Sequence, residues 1–248
     1  MRIAALYDIH GNLPALEAVL GEVRQAGVDA VVLGGDVVVG PMSREALDAV
    51  MALECPVHAI AGNCEREVLA VMAGQEPTTV PEAHRGIVRW TAGTLTPAHR
   101  TRLALWPATL RMAIAGIGDV LFCHATPRND TDIVLATTDE ARLRPLVDPL
   151  DAALVVCGHT HMPYDRRVGR TRVVNAGSVG MPFGAAGADW ILIGPDVQFR
   201  HTTYDLECAA RRVRETAYPQ AEAFAATSIL HPPDAETMRA RFGAAEVQ

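Results

Sequence analysis

The segment "LYDIHGN", residues 6–12, follows a short apolar run and presents several polar side chains in quick succession. The apolar residues 3–7 are typical of a buried strand, and Asp8 and His10 come directly after it. Residues i and i+2 of an extended chain point the same way, so Asp8 and His10 can hold one cation. The end of this strand therefore predicts the first two ligands of a metal site.

Strands and helices alternate on both sides of this segment. Strands are predicted at 2–7, 30–36 and 55–63, and helices at 13–26 and 43–53 lie between them. This alternation is typical of βαβ units in a parallel sheet.

From residue 110 onward the strands become more frequent and favour antiparallel pairing. The predicted strands of this half are 110–115, 119–125, 152–161, 164–168, 171–175, 189–194 and 197–203. A helix is predicted over 205–219, with Asp205 as its N-cap. The chain is therefore expected to be an α/β protein.

A polar residue able to bind metal follows each strong strand. The candidates are Asp8, His10, Asp36, Asn63, His124, His159 and His161. Taken singly, each is as well explained as a turn residue, a cap or an ordinary histidine. Because ligands bind beyond the carboxyl ends of strands in open α/β sheets, their common position indicates one site at one edge.

The chemistry of these seven side chains favours two transition-metal ions. Two carboxylates, one amide oxygen and four imidazoles exceed what one first-row ion usually takes, and a carboxylate can bridge two ions. Imidazole with carboxylate suits Mn, Fe, Ni, Co or Zn better than Ca or Mg, and we expect Mn first. Two divalent ions leave the site positive, which favours an anionic substrate and in-line displacement at phosphorus.

The composition limits the classes of partner. The 248-residue chain is 49% hydrophobic with a net charge of −7, so strong binding to duplex nucleic acid is not expected. No apolar run approaches the roughly 18 residues of a membrane span. The five cysteines form no C-x-x-C pair, so a disulfide framework is not expected. We expect a cytoplasmic protein that does not associate with membranes. The sequence is compatible with either a monomer or a homo-oligomer.

The ordered motifs resemble the calcineurin-like metallophosphoesterase superfamily. The segments "DIHGNLPALEAVL", "GGDVVVGP", "GNCERE" and "NAGSVGMP" look most like its YfcE-like phosphodiesterase branch. The resemblance implies a four-layer α/β/β/α sandwich, with two packed mixed sheets flanked by helices. It also implies the ligands of each ion: Asp8, His10, Asp36 and His161 for one, and Asp36, Asn63, His124 and His159 for the other.

The resemblance implies further roles in catalysis and substrate binding. Asp36, Asn63 and His124 would act in catalysis, and Asn12 would be a polar support near the substrate. Apart from the resemblance, the position of Arg128 just after residues 124–127 makes it a candidate substrate-binding residue at the rim, with an ordinary surface arginine as the alternative. Many superfamily members have histidine after the Gly-Asn pair, and that histidine contacts phosphate, whereas this chain has Cys64. A thiol is a poorer general acid than imidazolium, so Cys64 favours diesters or activated esters over monoesters. The alternative is that Cys64 is an inert packing residue.

One domain is expected over residues 1–230, with a helical insertion or lid at about 65–109, followed by a short helix and tail at 231–248. The function expected is hydrolysis of small phosphodiesters by in-line attack of a hydroxide that bridges two metal ions. A phosphomonoesterase or nucleotidase is one alternative. A metal-bound sensor or scaffold without catalysis is the other.

Overall fold

Two five-stranded mixed sheets pack face to face between helices in a computed structural model of the protein, which describes residues 1–247. The first sheet has the order β10-β9-β1-β2-β3. Strands β1, β2 and β3 are parallel, while β9 runs antiparallel to both β1 and β10. Its strands are β1 (Ile3–Leu6), β2 (Ala30–Leu33), β3 (Val57–Ala59), β9 (Ala188–Ile193) and β10 (Val197–Thr202).

The second sheet has the order β4-β5-β6-β8-β7. Its central strands β5, β6 and β8 are parallel, and the outer strands β4 and β7 are antiparallel to their neighbours. Its strands are β4 (Thr109–Ile114), β5 (Gly118–Cys123), β6 (Leu154–Cys157), β7 (Tyr164–Val168) and β8 (Thr171–Asn175). The second half of the chain is therefore more antiparallel than the first, as predicted, although β5, β6 and β8 are parallel to one another.

Helices cover the outer faces of the two sheets. They are α1 (Leu13–Ala26), α2 (Ser43–Met51), α3 (Asn63–Met72), α4 (Glu82–Thr94), α5 (Pro97–Leu103), α6 (Glu140–Val147), α7 (Leu206–Arg214), α8 (Ala221–Phe224) and α9 (Ala235–Gly243). Helix α8 continues as a π-helical segment over Ala225–Leu230. No helix in residues 1–247 is long and apolar enough to cross a membrane.

Alternating side chains of β1 show how the layers are held together. Ile3, Ala5 and Tyr7 lie in the apolar cluster between the two sheets, against residues such as Phe122 of β5. Ala4 and Leu6 lie in the cluster under the helices of the first sheet. A separate cluster joins α6 to the outer face of the second sheet. The predicted four-layer α/β/β/α sandwich is confirmed.

Local sequence signals define the ends of the first helix, whereas other helices have signals too weak for their presence or their ends to be predicted. The Asn12 side chain accepts a hydrogen bond from the backbone of Ala15, and Gly27 ends α1 with φ 60°. The pattern did not predict α6, which carries Pro145 in its interior and buries only two apolar residues. The helix predicted within 205–219 is α7, which ends at Arg214, before Pro219.

Candidate metal centre

The seven predicted ligand residues all lie beyond strand ends at one edge of the sandwich. Asp8 and His10 follow β1, Asp36 follows β2, and Asn63 begins α3 after β3. The remaining three residues follow strands of the second sheet: His124 after β5, and His159 and His161 after β6. Strand ends of both packed sheets therefore supply one cluster.

The first half of the cluster consists of Asp8, His10 and His161, whose ligand atoms lie within 4.8 Å of one another. The Nε2 atoms of His10 and His161 are 3.2 Å apart. The Oδ1 atom of Asp8 is 3.4 Å from Nε2 of His161 and 4.0 Å from Nε2 of His10. Three ligand atoms thus face one small volume.

The second half consists of Asp36, His124 and His159, again within 4.8 Å of one another. Nε2 of His124 lies 3.2 Å from Nδ1 of His159 and 3.2 Å from the side-chain amide of Asn63. Asn63 therefore belongs to this half of the cluster.

Asp36 faces both halves. Its Oδ1 is 3.5 Å from Nε2 of His124, and its Oδ2 is 3.8 Å from Nε2 of His10. The carboxylate is 2% exposed, so solvent does not screen these contacts. One carboxylate placed between two sets of donors has the position that a bridging ligand needs.

The buried polar atoms of the cluster are better satisfied by bound metal cations than by hydrogen bonds among themselves. Asp8 is fully buried, and its Oδ1 has no hydrogen-bond partner among residues 1–247. A buried carboxylate oxygen without a partner is costly, and a bound cation would remove that cost. Facing imidazole nitrogens at 3.2 Å can likewise both direct lone pairs at an ion. The donor set of nitrogen and oxygen atoms suits a first-row transition metal.

Backbone carbonyls orient two of the imidazoles. Nδ1 of His124 lies 2.9 Å from the Gly34 carbonyl, and Nδ1 of His161 lies 2.8 Å from the Met181 carbonyl. Since a carbonyl only accepts hydrogen bonds, each Nδ1 carries the proton. When the ring is neutral, as a metal-binding histidine must be, each Nε2 therefore directs its lone pair into the interior of the cluster.

The backbone around the cluster is strained. Five of the seven residues have positive φ, namely Asp8 (54°), His10 (47°), Asp36 (53°), His159 (66°) and His161 (58°). Non-glycine residues rarely adopt this region, and such strain concentrates at functional sites. It turns consecutive side chains out of the strand direction and towards one point.

Charge and burial set the protonation of the cluster. Burial raises the pKa of Asp8, but His161 and His124 outweigh it and hold that pKa below its usual value. Burial lowers the pKa of His124, but Asp36 and Asp8 raise it to about 10. Burial and the neighbouring His124 lower the pKa of His159 to about 4. Burial raises the pKa of Asp36, but His124 and His10 outweigh it and lower that pKa, so both carboxylates stay ionised near neutral pH and attract positive charge into the cluster.

Glu65 holds the loop that carries Asp36 in place. It is fully buried, and its carboxylate accepts hydrogen bonds from the backbone of Gly62 (2.8 Å), Asp36 (2.7 Å), Val37 (2.8 Å) and Val38 (3.2 Å). This carboxylate joins the start of α3 to the loop that carries Asp36.

Cys64 lies against the Asp36 carboxylate. Its backbone N donates to Oδ1 of Asp36 at 2.9 Å, and its Sγ lies 3.1 Å from Oδ2. Burial and the negative charge of Asp36 raise the pKa of the thiol well above its usual value. Cys64 is therefore a neutral hydrogen-bond donor to Asp36.

The two residues predicted to bind substrate have other contacts. Asn12 is fully buried, where it caps α1 and donates to the Gly180 carbonyl at 2.8 Å, so it supports the loop and has no surface that a substrate could reach. Arg128 is exposed and forms two hydrogen bonds with Asp132, at 2.9 and 3.1 Å. Its guanidinium is therefore held by a carboxylate at the rim.

The family model of the calcineurin-like phosphoesterase superfamily domain matches residues 1–193. The chain belongs to this superfamily, and the predicted family is confirmed. The family match, the fold and the residue cluster together indicate the class of protein, which is a metal-dependent phosphoester hydrolase.

Individual relatives extend over nearly the whole chain. Uncharacterized protein MJ0912 of Methanocaldococcus jannaschii is 24% identical over 241 residues, covering 88% of this chain and 94% of the relative. The crystal structure of a metallophosphoesterase from Sphaerobacter thermophilus is 27% identical, with a TM-score of 0.72 and coverage of 92% and 99%. The hypothetical protein PH1004 from Pyrococcus horikoshii OT3 is 20% identical, with a TM-score of 0.80 and coverage of 94% and 99%.

Proposed function

We propose that this protein is a dinuclear metal-dependent phosphodiesterase acting on small diesters. The observation that supports it most is the position of Asp36, whose two carboxylate oxygens face different histidines, His124 and His10. In this assignment Asp8, His10, Asp36 and His161 hold one ion, and Asp36, Asn63, His124 and His159 hold the other. Mn is the metal we expect, with Fe, Ni, Co or Zn as alternatives.

The ions would supply an activated water and stabilise charge on the phosphoryl oxygens. The protein's own residues position and orient the side chains that would bind the ions. Asp36 sets the separation of the two halves, and Glu65 holds the loop that carries Asp36. The carbonyls of Gly34 and Met181 fix the ring orientation of His124 and His161.

Two features favour a diester over a monoester. The thiol of Cys64 stays neutral and holds its proton against Asp36, so it is a weak acid for a poor leaving group. The nearby arginines are also engaged: Arg66 with Asp130 and Glu67, and Arg128 with Asp132. A diester brings one negative charge and a monoester about two, so a site without an unpaired arginine suits the diester.

The test compares bis(p-nitrophenyl) phosphate with p-nitrophenyl phosphate, using protein reconstituted separately with Mn, Fe, Co, Ni and Zn. We expect kcat/KM for the diester to exceed that for the monoester by about tenfold or more with at least one metal. No hydrolysis of either ester with any of the five metals would contradict the proposal. Faster hydrolysis of the monoester would contradict the diesterase proposal and indicate a phosphomonoesterase instead.

A matched pair of variants separates site chemistry from fold. Asp36→Asn removes the shared charge, and we expect kcat to fall by roughly 10²-fold or more. Asp151→Asn makes the same change at another residue of positive φ, 49°, whose side chain is 96% exposed. We expect Asp151→Asn to keep full activity, and equal losses in both variants would contradict the assignment.

A further inference from the structure

A cavity of about 510 Å³ opens directly beside the metal cluster. His10, Asn63 and Cys64 line its inner end. Its outer walls come from α4 and the segment before it, and from the chain around α8. Ligand cavities of 300–1,000 Å³ are typical of small-molecule sites. Whatever is attached to a phosphate bound at the cluster can therefore extend into this space.

The walls of the cavity are mainly apolar and aromatic. They include Val80, Ile87 and Val88 on one side, and Tyr218 and Phe224 on the other. Tyr218 packs edge-on against Trp90, with ring centroids 5.2 Å apart, and against Phe224 at 6.1 Å. Because Tyr218 and Phe224 are only 6% and 5% exposed, these rings are fixed before any ligand arrives.

The charged side chains of the cavity neutralise one another. Arg66 lies 2.5 Å from the Glu67 carboxylate and 2.7 Å from Asp130. Thr79 also hydrogen-bonds to Glu67. Arg66 is the one arginine among the lining residues that the structure describes, and it is paired, while His84 lies at an exposed position of the outer wall. A group bearing further phosphates or a carboxylate would lose hydration there without a compensating cation.

We propose that this cavity binds one organic group of the phosphodiester, and selects a large, uncharged group with an apolar or aromatic surface. The inference rests on the proposed diesterase activity and adds the substrate class to it. The cluster receives the single negative charge of the phosphate, while the walls formed by α4 and α8 receive the organic group. Removing that group's apolar surface from water supplies binding energy in proportion to the area buried.

The test measures competitive inhibition of bis(p-nitrophenyl) phosphate hydrolysis by the metal-loaded protein. The inhibitors are dimethyl phosphate and methyl 2-naphthylmethyl phosphate, which carry the same single charge and poor leaving groups. We expect the inhibition constant of the naphthylmethyl ester to be lower by about tenfold or more. A third inhibitor with a carboxylate on the naphthalene ring should lose most of that gain.

A cavity-filling variant locates the effect. Ala223 lines the cavity from an exposed position on α8, so Ala223→Phe fills the space without disturbing the buried core. It should weaken binding of the naphthylmethyl ester about tenfold and leave that of dimethyl phosphate unchanged. Ala98→Phe, at an exposed position of α5 that does not line the cavity, is the matched control.

The outcomes separate this inference from the activity on which it rests. Hydrolysis with equal inhibition constants for the three diesters would overturn the inference and leave the diesterase intact. So would a gain for the naphthylmethyl ester that Ala223→Phe does not reduce. Absence of hydrolysis with every metal would overturn the proposed function and this inference with it.

Discussion

The carboxylate of Glu65 holds the backbone of Asp36, with Oε2 accepting from the Asp36 N–H at 2.7 Å. The same carboxylate accepts from Gly62, at the start of α3, and from the two residues after Asp36. A side chain distant in sequence thus fixes the position of the loop that carries Asp36. This relationship makes the metal cluster sensitive to a residue that contacts no ion in the proposed assignment.

Glu65→Gln should weaken metal binding without unfolding the protein. The amide keeps the size of the side chain, but its NH2 group would face backbone N–H donors. Mutation of residues that orient metal ligands typically lowers metal affinity by about 10–100-fold. We expect a loss of this order in the Mn affinity of Glu65→Gln, measured by calorimetry. Glu45→Gln, in the exposed first turn of α2, is the control and should bind Mn normally. Normal Mn affinity in Glu65→Gln would contradict the positioning role.

Gly62→Ala should disrupt the centre by crowding alone. A Cβ atom at Gly62 would overlap Oδ1 of Asp36 and come within 2.9 Å of Nδ1 of His124. The backbone at Gly62 has φ −98°, which any residue adopts, so the variant introduces no backbone strain. We expect the bound metal to fall below one ion per chain, measured by elemental analysis.

The control for this variant is Gly21→Ala in α1, where a Cβ meets nothing within 4 Å. It should keep full metal content and raise the free energy of unfolding by about 0.5–1 kcal/mol through higher helix propensity. Full metal content in Gly62→Ala would show that Asp36 can move aside, against the fixed position proposed for it.

Cys64→Ser should leave most of the activity, because a hydroxyl can keep the hydrogen bond to Oδ2 of Asp36. We expect kcat/KM for bis(p-nitrophenyl) phosphate to stay within about threefold, the range of one modest hydrogen bond. Cys64→Ala, which lacks the donor, should lose more. A loss of roughly 10²–10⁴-fold in Cys64→Ser at unchanged metal content would instead assign proton transfer to the thiol.

Much of the fold and the membership of the cluster followed from the sequence, because both depend on local patterns. Short apolar runs marked the strands, and polar residues after them marked the strand ends that meet at one edge. Pairing between the strands of the second half was harder to predict. The parallel pairing of β5, β6 and β8 depends on crossovers between distant segments, which leave no local signal.

The surroundings of the cluster were less predictable for the same physical reason. Asn12 precedes a helix and resembles a site residue, but the packing of Gly180 above it buries the side chain completely. Tyr218 and Phe224 form a wall from the segment after α7, where no strand or helix was predicted for residues 220–230 although α8 and its π-helical continuation lie there. Only tertiary packing brings that segment beside α4.

Removing metal should lower thermal stability. Asp8 and Asp36 are buried carboxylates, and chelation would leave only the buried imidazoles of the cluster to balance their charges. Metal at 100 times its dissociation constant contributes about 2.7 kcal/mol per site, so EDTA should lower the Tm by roughly 5 °C or more. Added Mn should restore the Tm. Asp36→Asn should respond less to EDTA, and an unchanged Tm in the wild-type protein would contradict a bound ion.

Anomalous diffraction at the Mn absorption edge, from crystals of the Mn-loaded protein, tests the central proposal most directly. We predict two peaks per chain about 3.5–4 Å apart, with Asp36 bound to both. His10 and His161 should contact one peak, and His124 and His159 the other. A single peak, or two peaks that do not share Asp36, would contradict the dinuclear centre.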